Sequence, residues 1–159
     1  MHLLATTSGV IDGAAEAADL KQSPADIVVL SAADSEIAAL ARAYDTGTFP
    51  TLRLANFLQL QHNLSVDLYL EKTLSLARLI VLRLLGGASY WPYGLAQIEA
   101  LAKANDIKLV VLPGDSQPDH ELTSRSNLPM RDCERLRTYL AAGGQPNAAK
   151  FLGYCKHLL

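Results

Sequence analysis

Three short stretches carry residue types that could hold a ligand. The first is Leu79–Gly94, which reads LIVLRLLGGASYWPYG. Its apolar run stops at Gly86-Gly87, and Tyr90, Trp91, Tyr93 and Gly94 follow closely. Two glycines let the backbone turn sharply or approach another group. The aromatics offer flat apolar faces to a ring system. The second stretch is Pro113-Gly114-Asp115, which closes another apolar run. The third is Arg83, a cation inside the first run. At the start of a following helix, free backbone N–H groups would suit a carboxylate, an amide or a phosphate.

Each stretch also has a simpler reading. The glycines serve the turn, Trp91 packs as a lid on the next helix, and Pro92 fills its first turn. Asp115 is then a turn residue. Arg83 needs a partner, because desolvating a charge is costly. Glu71, Asp115 or a bound acidic group could supply it.

No catalytic constellation is evident. There is no GxSxG, and the serines, histidines and acids do not fall at spacings that imply a triad. Gly86-Gly87 is neither GxGxxG nor a P-loop. Thr7 and Ser31 read as turn or cap hydroxyls. His2, His62, His120 and His157 are scattered, without HxH or HExxH, so no metal site is expected. Cys133 and Cys155 lie 22 positions apart without a CxxC and read as reduced, partly buried thiols.

The elements that would position these residues alternate. Strands are expected at Met1–Thr6, Asp26–Ser31, Thr51–Ala55, Leu79–Leu85 and Lys108–Leu112. Runs such as IVVL and LIVL lack polar alternation, which indicates strands buried on both faces. Helices are expected at Ser35–Tyr44, Ser65–Ala77, Leu95–Ala104, Pro129–Ala142 and from about Pro146 onward, with a short one around Ala14–Leu20. Ile37, Leu40, Ala41 and Tyr44 form one apolar stripe, and Asp34 or Ser35 suits its N-cap. Gly143-Gly144 is a helix stop. Alternating strands and helices predict an α/β domain: a flavodoxin-like or Rossmann-like, doubly wound parallel sheet of five strands, in the order 2-1-3-4-5. Its ligand rim would hold Thr6-Thr7-Ser8, Ser31–Asp34, Gly86–Gly94 and Pro113–Asp115.

At 159 residues the chain fits a single domain, 1–159, with a substantial core. Half of it is hydrophobic, which excludes a disordered chain. A net charge of -2 gives no reason to expect nucleic acid. Arg78 and Arg83 interrupt the most apolar region, so no membrane span is expected. Without a targeting segment the default location is cytoplasmic. The sequence stays apolar to Leu158-Leu159, as expected of a piece of a longer protein or of an end docked on the domain.

Several segments can also be read together: MHLLATTSGVIDG, SPADIVVLSAADSEIAAL, LRLANFLQLQHNLSVDLYLEKTL, ARLIVLRLLGGASYWPYGLAQIEALA and LVVLPGD. In this order they resemble the N-terminal region of the large subunit of aerobic cobaltochelatase, the CobN type. RLLGG, YWPYG and VLPGD together are more specific than any one piece. The large subunit of magnesium chelatase is a weaker comparison.

The resemblance implies a part of a ligase that inserts cobalt(II) into hydrogenobyrinic acid a,c-diamide, on the path to cobalamin. It implies a tetrapyrrole site on the large subunit and two AAA+-type partner subunits that hydrolyse ATP with magnesium. It implies no cofactor in this chain, and metal and macrocycle chemistry mainly in later domains. The segment Gly86–Gly94 and the turn Pro113–Asp115 carry over by position, in a structural or substrate-proximal role. The expectation is a scaffold or substrate-site wall, inactive by itself. Two rivals are a stand-alone flavodoxin-like module for a small ligand and a docking domain for the ATPase subunits.

Overall fold

Four runs of branched and leucine side chains pair side by side, because only a sheet covered on both faces hides both sides of such a strand. The computed structural model describes residues 16–159. Its elements are β1 (Ile27–Ser31), α1 (Asp34–Asp45), β2 (Leu52–Asn56), α2 (Asn63–Tyr69), β3 (Leu79–Leu84), α3 (Pro92–Asn105), β4 (Lys108–Pro113), α4 (His120–Thr123), α5 (Met130–Ala142) and α6 (Gln145–Leu158). Every residue of β1 and β3 is buried.

The sheet is parallel, in the order β2-β1-β3-β4. Side-chain alternation splits the core into two layers. Ile27, Val29, Leu79, Val81, Val110 and Leu112 face α1, α5 and α6. Val28, Leu30, Ile80, Leu82, Leu109 and Val111 face the layer built from α2 and α3. The chain therefore winds to one side from β1 to β2, then returns past β1 to β3. Ser31 is in register with Arg83 across that switch.

The strand ranges agree with expectation to within a residue. Their order does not: Thr51–Ala55 was to lie beside Leu79–Leu85, whereas β1 pairs with both and separates them. That order reserved a central place for Met1–Thr6, which lies outside the described residues, as do Thr7 and Ser8. The outer edge of β4 is covered by side chains. Asn127 Oδ1 accepts from Leu109 N–H at 2.7 Å and Ser126 Oγ accepts from Val111 N–H at 2.8 Å. Such cover prevents further pairing along an edge.

Other boundaries shift for local reasons. Glu16–Leu20 is not helical; this part of the chain is held open by bonds to α2 and its continuation, such as Ala18 N–H to Ser65 Oγ at 2.7 Å. The N-cap of α1 is Ala33, and no side chain caps it. Asp34 is instead bonded to the Asn56 amide at 2.9 Å, while Ser31 Oγ accepts from Ala33 N–H at 3.1 Å. The helix expected to reach Ala77 is α2 followed by a π-helical turn, Leu70–Leu74. Helix α3 begins three residues before Leu95, with Pro92 in its first turn. Helix α4 was not anticipated. Among the described residues no helix is long and apolar enough to cross a membrane.

Candidate functional site

In open α/β sheets ligands bind beyond the carboxyl ends of the strands, where the winding reverses. Here that point lies between Ser31 and Arg83. Arg83 continues the inward stripe of Leu79 and Val81, so its side chain emerges just past the core on the α1/α5/α6 side. It is only 8% exposed. Its partner is Glu36, in the first turn of α1. Neither Glu71 nor Asp115 pairs with it directly. Its Nε donates to the Pro113 carbonyl at 3.2 Å. The Ser31 hydroxyl donates to the other Glu36 oxygen at 2.7 Å and accepts from Ala33 N–H, which is the turn role, and not the cap role, of the two read for Ser31. Burial pulls the Arg83 pKa below its ordinary value; Asp115 nearby opposes this and Arg137 adds to it.

This ion pair opens on a cavity of about 430 Å³. Helix α1 forms one wall, Tyr139 and Leu140 of α5 another, and Gly143, Gly144 and Gln145 the mouth. Gly114 reaches the same cavity. A side chain there would meet the Leu85 backbone at 2.9 Å, so only glycine lets the ends of β3 and β4 approach.

Gly86, Gly87, Pro113 and Asp115 line a second cleft, with Asp119 and His120. Gly86 and Gly87 have φ of 89° and 79°, the left-handed region that disfavours side chains. Asp115 Oδ1 accepts from Gln117 N–H at 3.0 Å, so it is a turn residue.

The aromatics form a third place. Trp91 is 5% exposed, and its Nε1 donates to the Leu60 carbonyl at 3.0 Å. Its ring lies 5.2 Å from that of Phe57. A β-carbon on Gly94 would sit 2.1 Å from the indole, so Gly94 is the seat on which the ring rests. Trp91 is thus a lid on α3. The Tyr93 hydroxyl donates to Asp67 at 2.7 Å, which raises its pKa. Tyr90, half-exposed, lies edge-on to Phe57 at 6.2 Å. Tyr90, Trp91 and Tyr93 line a cleft of about 290 Å³.

The residues expected to act together thus fall into three neighbouring places. Glu36, Arg42, Tyr139 and the α5–α6 turn were not expected at a site. The strand register gives the missing signal, since Ser31 opposite Arg83 points to the helix that follows Ser31. Both cysteines are free and buried. Among the described residues no three His, Cys, Asp or Glu side chains converge to hold a metal ion.

Fold and rim define a doubly wound α/β domain with a charged cavity at its switch. No family model matches the chain. It is similar to the aerobic cobaltochelatase subunit CobN of a Sinorhizobium species, 44% identical over the whole of this chain and 12% of that protein. The CobN of Pseudomonas aeruginosa is 46% identical, over 95% of this chain and 12% of that protein. Among solved structures, the catalytic subunit of cobaltochelatase from Mycobacterium tuberculosis matches 84% of this chain and 10% of its own, with a TM-score of 0.65 and 25% identity. The resemblance to the N-terminal region of the CobN-type large subunit therefore holds along the whole chain, which spans about an eighth of its curated relatives.

Proposed function

We propose that the chain is a domain of the tetrapyrrole-binding large subunit of an ATP-dependent cobaltochelatase. In this reading the whole complex inserts cobalt(II), its metal substrate, into hydrogenobyrinic acid a,c-diamide. Two AAA+-type subunits hydrolyse ATP with magnesium. The domain is scaffold and substrate-site wall, and metal and nucleotide chemistry belong to other parts of the complex. The glycine turn at Gly86-Gly87 and the Pro113–Asp115 turn shape the wall, and Tyr90 and Tyr93 stand at its aromatic end.

The observation that carries this reading is the 44% identity along the entire chain. The architecture supports the wall role. Trp91, Tyr93 and Asp115 are bound to groups of the domain itself, which suits a rigid surface better than a self-contained catalyst.

A full-length subunit that contains this segment is assayed for cobalt insertion with the two ATPase subunits, beside a variant lacking residues 16–159. Loss of insertion together with weakened macrocycle binding is expected. Full activity without the segment would overturn the reading. Intact macrocycle binding with loss of ATPase-subunit capture would favour the docking alternative.

A further inference from the structure

We infer that the cavity over Arg83 seats a carboxylate or carboxamide arm of the macrocycle, with Arg83 and Arg42 as the recognising donors. This rests on the chelatase reading above. The cavity lies at the winding switch, and about 430 Å³ is within the range of small-molecule pockets. It suits a side arm and a ring edge.

The chemistry of the ion pair is one-sided. Glu36 is consumed: one oxygen faces Arg83 and the other accepts from Ser31. The guanidinium is not. Its Nε is committed to Pro113 and its Nη1 to Glu36, and among the described residues no acceptor is bonded to its Nη2. A buried pair of this kind adds little stability over apolar residues of similar volume. Its place on the floor of an open cavity gives it a use that stability does not.

The mouth repeats the pattern. Arg42, exposed, reaches from α1 toward Gln145 of α6, with Nε 3.5 Å from Oε1. Helix α6 starts there without a side-chain cap; Pro146 has no N–H and Ala148 N–H is spent on the Gly144 carbonyl, which leaves the Gln145 and Asn147 N–H groups outside the helical ladder. The Tyr139 hydroxyl accepts from Arg135 at 3.2 Å and keeps its own proton to donate. Arg83, Arg42 and the Tyr139 hydroxyl each present a proton to the cavity, so the fitting ligand group is an acceptor. Ala33, Ala39 and Ala148 project little into the cavity and let a flat ring edge approach.

The test is calorimetric titration of a full-length subunit containing this segment with hydrogenobyrinic acid a,c-diamide. Arg42→Glu changes an exposed side chain and leaves the fold intact. It weakens binding at least about tenfold, as loss of a charged hydrogen bond implies. The double variant Arg83→Leu/Glu36→Leu removes the pair without stranding a charge. It retains the far-ultraviolet circular dichroism of the native fold and weakens binding by a similar factor. If the native subunit binds the macrocycle and both variants bind it equally well, the inference is overturned and the chelatase reading stands. If the double variant does not fold, Arg42→Glu decides alone. A native subunit that binds no macrocycle overturns both. Saturation by glutarate but not by the macrocycle would overturn the assignment to a macrocycle arm.

Discussion

On the α2/α3 side of the rim, polar groups are spent on the domain itself. Trp91 is tied to Leu60, Tyr93 to Asp67, and Gly94 exists to seat the indole. On the α1/α5/α6 side, a buried arginine is neutralised by Glu36 yet faces open space. The side with the more conspicuous sequence ties down its polar groups beside a cleft of about 290 Å³, and the plainer side sets a charged pair against a larger one of about 430 Å³. Aromatic rings beside glycines attract notice because aromatics are few, 6% of the chain, and here three fall within four positions. Their spacing is equally that of a ring resting on a helix start. An ion pair assembled from β3 and α1 has no local signature at all.

The largest expected effect separates a stranded charge from a removed pair. Arg83→Leu leaves Glu36 buried without its cation and lowers stability by about 3–5 kcal/mol in urea denaturation. Adding Glu36→Leu recovers most of that loss. A single variant as stable as the native domain would show that the pair is not buried as described.

Gly94→Ala tests the other side. In an unconstrained helix this change stabilises by up to about 1 kcal/mol. Here the new methyl meets the indole, and overpacking costs about 1–3 kcal/mol. Destabilisation wins, with a shifted emission maximum from Trp91, the chain's one tryptophan. A stabilised Gly94→Ala would mean that the ring does not rest there. Trp91→Phe leaves a small cavity where the larger indole sat and loses the bond to Leu60, at about 1–3 kcal/mol by the same denaturation, and leaves macrocycle affinity unchanged.

Alkaline pH distinguishes the two sides more gently. Burial raises the pKa of Cys133 and of Cys155, both on the α1/α5/α6 side. Their folded values exceed their unfolded ones, so their contribution is complete below the ordinary thiol value of about 9 and declines as pH rises past it. Urea midpoints should fall from that pH upward. Cys155→Ala should flatten the slope, and an unchanged slope would contradict the burial argument. Tyr93 and Tyr154, raised by Asp67 and Asp132, add a further decline near pH 10. The smallest effect is expected from Tyr93→Phe, which removes an exposed bond and leaves the denaturation midpoint nearly unmoved.

The layered α/β class was legible because runs such as IVVL and LIVLRL fit only strands covered on both faces. Glycine stops and proline starts marked the helices to within a few residues. Strand order was not legible, since buried parallel strands of similar composition give no signal for which neighbours meet. Arg83 could be read as paired, because burying its charge alone is too costly. Its partner could not be read, because Glu36 reaches it only after β1 takes its place beside β3. The Trp91 lid, the Pro92 helix start and the Asp115 turn were each visible as the plainer of two readings.

The most direct measurement is a structure of a full-length subunit containing this segment, bound to hydrogenobyrinic acid a,c-diamide. The account predicts an arm of the macrocycle within hydrogen-bond distance of Arg83, between α1 and the α5–α6 turn. A macrocycle lying on Tyr90 and Tyr93, with the Arg83 cavity vacant, would contradict it.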